Sequence, residues 1–265
     1  MTVAPQGAAP GAPGEGAEKV IVAKDIAVRF GTRTIFQHVS FDVRRGEVFV
    51  VLGGSGCGKS TLLRLLVGLV PAAAGQAWVL GVPIDDPSDA GQQKIRRNTG
   101  VMFQQGAMFG SFNLLQNVML PLVEFTSLPR DAAEWIARTK LGLVGLSDFA
   151  EFMPSEISGG MLKRAAIARA MALDPEILFL DEPSAGLDPI TSAGLDALIL
   201  SLSRDLGITF VVITHELQSI LAIADRVIML DRAAKGMIAE GDPRTLRDEA
   251  TQPTVRAFFR REVLA

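Results

Sequence analysis

The chain has 265 residues, of which 48% are hydrophobic, and a formal net charge of −3. This length and composition are sufficient for a substantial buried core, and the slightly acidic balance argues against nucleic-acid binding, which needs a basic face. The single cysteine, Cys57, excludes an internal disulfide and is typical of a protein in a reducing compartment.

No part of the sequence predicts a membrane-spanning helix. The longest stretch without a charge, residues 98–123, contains several glutamines and asparagines and Pro121, and the next, residues 65–84, is broken by Pro71 and Gly75. The N-terminus has neither the basic start nor the apolar core of a secretory signal. We therefore expect a soluble protein whose role at a membrane comes through a partner.

The chain alternates between β-like and helical patterns. Residues 1–18 are rich in alanine, proline and glycine and predict a disordered tail. Two amphipathic β-like stretches follow, around residues 21–28 and 35–43. A fully apolar run then predicts a buried parallel strand at residues 48–52, and similar runs recur at residues 177–180, 208–213 and 227–230. Helical patterns separate most of these runs, so the predicted fold class is α/β with a parallel sheet.

The middle of the chain is predicted to be mostly helical between residues 96 and 172. Candidate helices cover residues 114–123, 131–144 and 159–173. Because this block interrupts the α/β pattern, we interpret about residues 105–165 as an inserted helical subdomain within a domain of residues 19–245. Residues 246–265 resume a charged, helix-like pattern and are interpreted as a C-terminal extension.

The strongest motif is a glycine-rich loop directly after the first apolar strand. Residues 53–60 read GGSGCGKS and match the pattern GxxxxGKS of a P-loop. In such a loop the backbone N–H groups wrap phosphates, Lys59 reaches the β- and γ-phosphates, Ser60 offers a hydroxyl to Mg²⁺, and the helix that follows favours an anion at its N-terminus. The predicted phosphate-binding residues are Gly53, Gly54, Ser55, Gly56, Cys57, Gly58, Lys59, Ser60 and Thr61.

Two acids, Asp181 and Glu182, follow the apolar run at residues 177–180. They fall at the carboxyl end of a predicted strand, where α/β sheets place their ligands. Asp181 fits the carboxylate that holds Mg²⁺ in P-loop enzymes, and Glu182 is then placed to orient and deprotonate water. Two acids after a strand are often only a solvated turn, but the P-loop makes the catalytic interpretation the stronger one.

The next motifs resemble those of ABC ATPases. Residues 158–161 (SGGM) head a predicted helix and resemble the family's signature motif, and residues 184–189 (SAGLDP) resemble its D-loop. The resemblance implies a P-loop NTPase core with an N-terminal antiparallel β subdomain, and a homodimer that sandwiches two ATP molecules between the P-loop of one copy and the signature of the other. The same serine is also a good helix N-cap. The nucleotide-binding residues that the resemblance adds are Ser158, Gly159, Gly160 and Asp188.

Three further side chains are identified by this resemblance. His215 resembles the switch histidine that contacts the γ-phosphate, and Gln104 resembles the Q-loop glutamine, with Gln105 as an adjacent alternative. Phe30 occupies the place of the aromatic ring that stacks on adenine, although a phenylalanine in a strand can also be simple core. His38 matches no motif and is interpreted as a surface residue. The predicted catalytic residues are Glu182, His215, Gln104 and Asp181, and the predicted Mg²⁺ ligands are Ser60, Gln104 and Asp181.

Within the ABC class, the sequence is similar to the ATPases of Mla/Mce-type phospholipid transporters. The features that carry this similarity are Met161 in place of the usual signature glutamine and the stretches at residues 103–109, 153–166, 188–191 and 253–258. The resemblance implies a peripheral subunit on the cytoplasmic side of the bacterial inner membrane. It also implies a permease, an Mce-domain lipid-binding protein and, in some members, a STAS-like small subunit as partners.

Other functions remain as alternatives at this point. One is the ATPase of a different ABC importer or exporter, and another is an ABC protein that works without a permease. The second usually carries two cassettes or a long coiled coil, whereas this chain has one cassette and no sustained heptad pattern. A small-molecule kinase built on a P-loop is disfavoured, because a signature motif, a D-loop and a switch histidine have no use in it.

Two surfaces are expected to bind partners. Met108, Phe109 and Phe112 follow the Q-loop, where the resemblance implies contact with the permease, although they could instead fill the core of the helical subdomain. The C-terminal extension places Val255, Phe258, Phe259 and Val263 near one helical face. This stripe is expected to dock on the second protomer, with docking on its own subunit as the alternative.

Overall fold

The computed structural model describes residues 16–104 and 106–262. Its elements follow in chain order: β1 (Lys19–Phe30), β2 (Arg33–Arg44), β3 (Val48–Gly53), α1 (Lys59–Leu66), β4 (Ala74–Val79), β5 (Val82–Pro83), α2 (Asp89–Asn98), β6 (Thr99–Met102), α3 (Leu114–Phe125), α4 (Arg130–Leu143), α5 (Gly159–Ala170), β7 (Ile177–Asp181), α6 (Pro189–Leu206), β8 (Thr209–Ile213), α7 (Leu217–Ile223), β9 (Arg226–Asp231), β10 (Gly236–Gly241), α8 (Pro243–Glu249) and α9 (Pro253–Arg260). No helix among these residues is long and apolar enough to cross a membrane.

The strands form two sheets. The first has the order β2-β1-β4-β5 with antiparallel neighbours, and the second has the order β10-β9-β3-β8-β7-β6. In the second sheet all neighbours are parallel except β10, which runs antiparallel to β9 along one edge. The structure thus confirms the predicted α/β fold with a parallel sheet and an N-terminal antiparallel β subdomain.

The larger sheet separates two hydrophobic cores, and β3 contributes to both. Val48, Val50 and Leu52 belong to the core that includes the helices α3 to α7, whereas Phe49 and Val51 belong to the core beneath α1 and the smaller sheet. This alternation is the two-residue period of a strand. Because both faces are covered, β3, β7 and β8 are buried along their whole length, which explains their continuous apolar sequences.

One strand lies within the stretch that was predicted to be mostly helical. β6 has only four residues, and it is held by parallel pairing with β7, from Thr99 opposite Ile177 to Met102 opposite Leu180. Gly100 permits this position, because a Cβ atom there would lie 2.0 Å from the carbonyl oxygen of Ala170. A pairing made with residues more than seventy positions away leaves little trace in local sequence.

At the two ends of the predicted cassette, the structure describes the contacts of Glu18 and of the C-terminal helix α9. The predicted tail at residues 1–18 falls mainly on residues 1–15, which lie outside the described part, but Glu18 already pairs with Arg45 at 2.8 Å. At the other end, α9 docks on its own subunit rather than presenting its apolar face for a second protomer. Val255 and Phe259 are buried in the chain's own core. Because α9 follows α8 after a connection of only three residues, its apolar face lies next to the core of its own subunit. Val263, the last residue of the predicted stripe, lies outside the described residues.

Candidate active site

The P-loop connects β3 to α1 and has a backbone that its glycines make possible. Gly53 and Gly58 have φ angles of 145° and 106°, in the region that favours glycine. A Cβ atom on Gly53 would lie 2.2 Å from the Leu230 carbonyl oxygen, so no other residue fits there. Between these glycines the loop turns outward: Gly54, Ser55 and Gly56 are exposed, whereas Cys57 is buried and burial raises the pKa of its thiol.

Lys59 is held inside this loop. Its ammonium donates hydrogen bonds to the carbonyl oxygens of Gly53, at 2.9 Å, and Gly54, at 3.3 Å. Lys59 is also the first residue of α1, so the free N–H groups of the first helical turn, which includes Ser60 and Thr61, point to the same place. A concentrated positive charge beside unpaired N–H groups is a site for phosphate.

Ser60 and Asp181 meet at the end of β7. The Ser60 hydroxyl donates a hydrogen bond to Oδ1 of Asp181 at 3.1 Å. Burial raises the pKa of the Asp181 carboxyl group, and the hydrogen bond from Ser60 opposes that shift. The strand order explains the meeting, because β3 and β7 both lie beside β8 and all three end at the same edge of the sheet.

Glu182 is the most unusual residue of the site. Its φ angle is 50°, in a region that a side chain with Cβ rarely occupies. Its N–H donates to the carbonyl oxygen of Ile213 at 2.8 Å, and its Oε1 lies 2.8 Å from Nδ1 of His215. The second carboxylate oxygen, Oε2, is buried and has no hydrogen-bond partner among the described residues. Buried polar atoms without partners are rare and call for a functional explanation.

The two histidines differ in position. His215 follows β8 and holds Glu182 while most of its side chain is exposed. His38 lies on β2 of the other sheet, is exposed and contacts Asp25. This placement agrees with the interpretation of His38 as a surface residue.

The Q-loop follows β6 and lies beside this cluster. Gln104 has an exposed side chain, while its backbone carbonyl accepts a hydrogen bond from the ammonium of Lys163. Gln105, the alternative, is outside the described residues. Lys163 was not identified from the sequence. The spacing does contain a signal for its burial, because Lys163 lies three and four residues before Ala166 and Ile167 and therefore shares their buried face of α5.

In the described part of the chain, no hydrogen bond joins the signature or D-loop residues to the P-loop. Ser158 caps α5 by accepting from the Met161 N–H at 3.3 Å, and Asp188 caps α6 by accepting from the Ile190 and Thr191 N–H groups at 3.0 and 3.1 Å. The signature motif packs against the D-loop and the start of α6 instead: a Cβ atom on Gly159 would lie 3.7 Å from Cδ2 of Leu187, and one on Gly160 would lie 2.4 Å from Cγ2 of Thr191. Three of these residues are exposed: Ser158, Gly159 and Asp188.

Phe30 ends β1 with 52% of its surface exposed, so it is not a core residue. Next to it, Gly31 has a φ angle of 58° and turns the chain into β2. A cavity of about 340 Å³ lies between this turn and the P-loop, and its lining includes Thr34, Ile35 and Gly56. An exposed aromatic ring and a cavity that reaches the P-loop are compatible with a bound base.

Comparisons with known proteins place this geometry in a family. The ABC transporter family model matches residues 36–185. The intermembrane phospholipid transport system ATP-binding protein MlaF of Escherichia coli strain K12 is 40% identical over 236 residues, which cover 89% of this chain and 87% of that protein. The probable ribonucleotide transport ATP-binding protein mkl of Mycobacterium leprae is 39% identical over 239 residues, or 90% of this chain and 68% of that protein.

Solved structures agree with this assignment. CbiO1 from Clostridium perfringens, part of the ABC transporter complex cbiONQ, has a TM-score of 0.80 and 28% identity, with 87% of this chain and 91% of that chain covered. The dimeric ATP-binding cassette MJ0796, in a post-hydrolysis state bound to ADP and Pi, has a TM-score of 0.74 and 29% identity, with 84% and 98% covered. The chain therefore belongs to the ABC transporter family and is one of its ATP-binding, ATP-hydrolysing subunits.

Proposed function

We propose that this chain hydrolyses Mg²⁺-ATP as a homodimer and thereby powers the movement of phospholipid through a membrane permease, between the inner membrane and the outer envelope. The observation that carries the proposal is the meeting of Lys59, the Ser60–Asp181 pair and the Glu182–His215 pair at the carboxyl end of one sheet. Sheets of this class bind their ligands at that end.

Glu182 is the proposed general base. His215 holds Oε1, whereas the buried Oε2 lacks a partner among the described residues and is free to accept a proton from water. The water oxygen then forms a bond to the γ-phosphorus, and the bond from that phosphorus to the β-phosphate oxygen breaks, which releases ADP and phosphate. Lys59 stabilises the charge on the transferred group, and His215 keeps the carboxylate oriented.

The residues around Asp181 fit a magnesium ion. A serine hydroxyl and a carboxylate are the hard oxygen donors that Mg²⁺ prefers, and it needs few of them because phosphates and water supply the rest. Since burial raises the pKa of Asp181, a neighbouring divalent cation would favour its charged form. We propose Gln104 as a further ligand. When bound, the ion would neutralise charge on the phosphates.

The exposed signature and D-loop residues support a homodimer. Ser158, Gly159 and Asp188 have no contact with their own P-loop in the described chain, yet a helix that begins with a serine and two glycines offers free N–H groups to an anion. We propose that they close on the nucleotide of a second copy. The related MJ0796 cassette was solved as a dimer, which supports this arrangement.

The choice of phospholipid as the transported substrate rests on similarity. MlaF proteins from two organisms share 40% and 37% identity with the chain over most of its length. A ribonucleotide is the second candidate, because the Mycobacterium leprae relative named for ribonucleotide transport is 39% identical. Both candidates leave the ATP site unchanged, so the permease and its cargo must distinguish them.

The catalytic part of the proposal is tested by two substitutions in the full chain. Glu182→Gln keeps the shape of the side chain and removes the base, so we expect turnover to fall by about a thousandfold while ATP still binds and holds a closed dimer. Lys59→Ala removes a charge-assisted phosphate contact and should instead abolish tight ATP binding. Hydrolysis by Glu182→Gln at nearly the wild-type rate would show that Glu182 is not the base.

The transport part is tested with the chain purified together with its membrane partner. Lipid analysis of the complex should identify bound phospholipid, and reconstitution into phospholipid vesicles should stimulate ATP hydrolysis. Stimulation by ribonucleotides and not by phospholipid would favour the second candidate. Co-purification of an Mce-domain protein or a STAS-like subunit would support the remaining proposed partners, and loss of the chain from bacterial inner membranes when the permease is deleted would support its peripheral location on their cytoplasmic side.

The loop after Gln104 is the proposed contact with the permease. Phe109 is 50% exposed, and Asn117, which is completely buried, fixes its backbone by accepting from the Phe109 N–H at 2.8 Å and donating to the Phe109 carbonyl at 3.1 Å. A rigidly presented apolar ring is typical of a protein interface. Met108 and Phe112 are only half-buried, so they also contribute to the subdomain's own packing.

Phe109→Asp tests this contact. We expect the variant to fold and hydrolyse ATP on its own, since the ring is exposed, but to co-purify poorly with the permease. Leu206→Asp is the matched control, because Leu206 is 48% exposed at the end of α6 and outside the loop. Full co-purification of Phe109→Asp, or unfolding of that variant alone, would contradict the proposal.

A further inference from the structure

Lys163 is a buried cation that none of the ATPase motifs explains. It lies on α5, the helix that begins at the signature motif, and only 7% of its surface is exposed. Its ammonium donates a hydrogen bond to the backbone carbonyl of Gln104 and lies 3.5 Å from the backbone carbonyl of Glu182. One side chain thus contacts both loops that carry proposed catalytic residues.

A buried ammonium is costly, and no carboxylate among the described residues is bonded directly to this one. Burial lowers the pKa of Lys163, and only the more distant charges of Glu182 and Asp181 oppose that shift. Backbone carbonyls are the groups that satisfy its donors. A methionine of similar length would fill the same space without this cost, so the position of the charge calls for an explanation beyond packing.

The two carbonyls belong to neighbouring strands of the sheet. Gln104 lies two residues after β6 and Glu182 one residue after β7, and these strands pair in parallel. Glu182 also has the unfavourable φ angle of 50°, which neighbouring groups must maintain. Its N–H is bonded to Ile213 of β8, and its carbonyl faces Lys163. The first contact holds the peptide group before Glu182, and the Lys163 ammonium lies beside the carbonyl of the peptide group after it.

We propose that Lys163 is a positioning residue for ATP hydrolysis: its ammonium fixes the backbone of Gln104 and Glu182 and ties both to the signature helix. In this role Lys163 acts through the orientation of these two residues rather than by binding the nucleotide itself. The inference rests on the roles proposed above for Gln104 and Glu182. Removal of the charge should therefore leave ATP binding intact and slow the chemical step.

Three variants of the full chain test this inference. Lys163→Met keeps the aliphatic stem, and we expect kcat to fall at least about tenfold while KM and the affinity for ATP stay within about threefold. Lys163→Arg restores a cation and should recover most of the lost turnover. Lys140→Met is the matched control, because Lys140 on α4 is equally buried, at 7% exposure, but bonds Asp174 far from the site. It should leave kcat unchanged.

The outcomes separate positioning from general stability. A kcat for Lys163→Met within about twofold of wild type, or an equal loss of kcat in Lys140→Met, would overturn the inference. So would an arginine variant as slow as the methionine variant, or a fall in kcat that is matched by lost ATP affinity. Glu182→Gln in the same assay tests the underlying function: if it hydrolyses ATP normally, the proposed function fails, whereas an inactive Glu182→Gln beside an active Lys163→Met refutes the role of Lys163 alone.

Discussion

The two ends of the six-stranded sheet both contain buried carboxylates, but their surroundings differ. At the amino end, Glu47 precedes β3 with 2% of its surface exposed, and its Oε1 lies 3.2 Å from Nε of Arg226 on the adjacent β9. Its Oε2 accepts from the Arg44 N–H at 2.8 Å. At the carboxyl end, Glu182 is almost as buried, yet one of its oxygens has no partner in the described residues and its backbone is strained.

The difference indicates what each end contributes. A carboxylate that contacts both an arginine and a backbone N–H joins neighbouring parts of the fold, whereas a buried carboxylate oxygen without a partner among the described residues is available to a substrate or water. Arg226 extends the first kind of contact to the other sheet through Asp42 on β2, at 3.2 Å. Substitutions at the amino end should therefore lower stability and spare turnover, and substitutions at the carboxyl end should do the reverse.

Arg226→Met should have the largest effect on stability. The substitution leaves the buried Glu47 without its cation, whereas Asp42 keeps Lys19 at 3.1 Å, and removal of one partner from a buried ion pair typically costs about 3 to 5 kcal/mol. We expect urea unfolding to show this loss while kcat and KM of the folded protein stay close to wild type. Arg138→Met is the control, because Arg138 contacts two carboxylates at an exposed surface, where such pairs contribute little. Equal urea midpoints for the two variants would break the comparison.

Glu47 should also make stability depend on pH. Burial raises the pKa of Glu47 to about 7 from its ordinary value of 4.5. The folded chain therefore keeps a proton that the unfolded chain releases between these two values, and the free energy of unfolding falls as the pH rises from about 4.5 to about 7. The stability that the bound proton contributes is fully present below about pH 4.5 and is lost once the pH exceeds about 7.

Glu47→Gln removes this titration. The fall in the free energy of unfolding between these pH values should be smaller in the variant than in the wild type, by at most about 3 kcal/mol. Urea unfolding of both proteins at several pH values from 4.5 to 8 measures the difference. The other titrating groups are present in both proteins, so their contributions cancel when the two curves are subtracted. Parallel curves would mean that Glu47 is charged throughout.

The comparison also shows which parts of the site can be predicted from sequence. The P-loop and the acids after β7 are contiguous motifs, so the local chain determines most of their geometry and their positions are evident from the sequence. Lys163 is 59 residues from its partner Gln104, and Arg226 is 184 residues from Asp42. These contacts depend on the order of strands in the sheet, which no local pattern encodes. β6 and the docking of α9 on its own subunit were not predicted for the same reason, because both depend on contacts with parts of the chain that are distant in sequence.

His215→Ala tests the carboxyl end with a smaller effect. The variant loses the contact that orients Oε1 of Glu182 and keeps the base itself, so we expect kcat to fall about tenfold to a hundredfold, or about 1.4 to 2.7 kcal/mol. ATP affinity and the urea midpoint should remain near wild type. His38→Ala is the matched control, because the exposed His38 contacts only Asp25 in the described structure. A parallel loss of binding and turnover would make His215 a structural residue.

Phe30→Ala should have the smallest effect and concerns the same end of the sheet. If the exposed ring stacks on adenine, its removal should raise KM for ATP about fivefold, in keeping with about 1 kcal/mol for one stacked base, and leave kcat unchanged. Stability should hardly change because the ring is 52% exposed, and Phe30→Trp should preserve the affinity.

Phe125→Ala is the control for this prediction, because Phe125 is 50% exposed at the end of α3, in the helical insertion. Fluorescence titration with an ATP analogue and urea unfolding distinguish the outcomes. A core phenylalanine would lose about 3 kcal/mol or more of stability on truncation, and a ring that stacks on the base would lose affinity instead. Unchanged KM together with unchanged stability would show that Phe30 does neither, and the base would then have to be held by the side chains around the cavity beside Gly56.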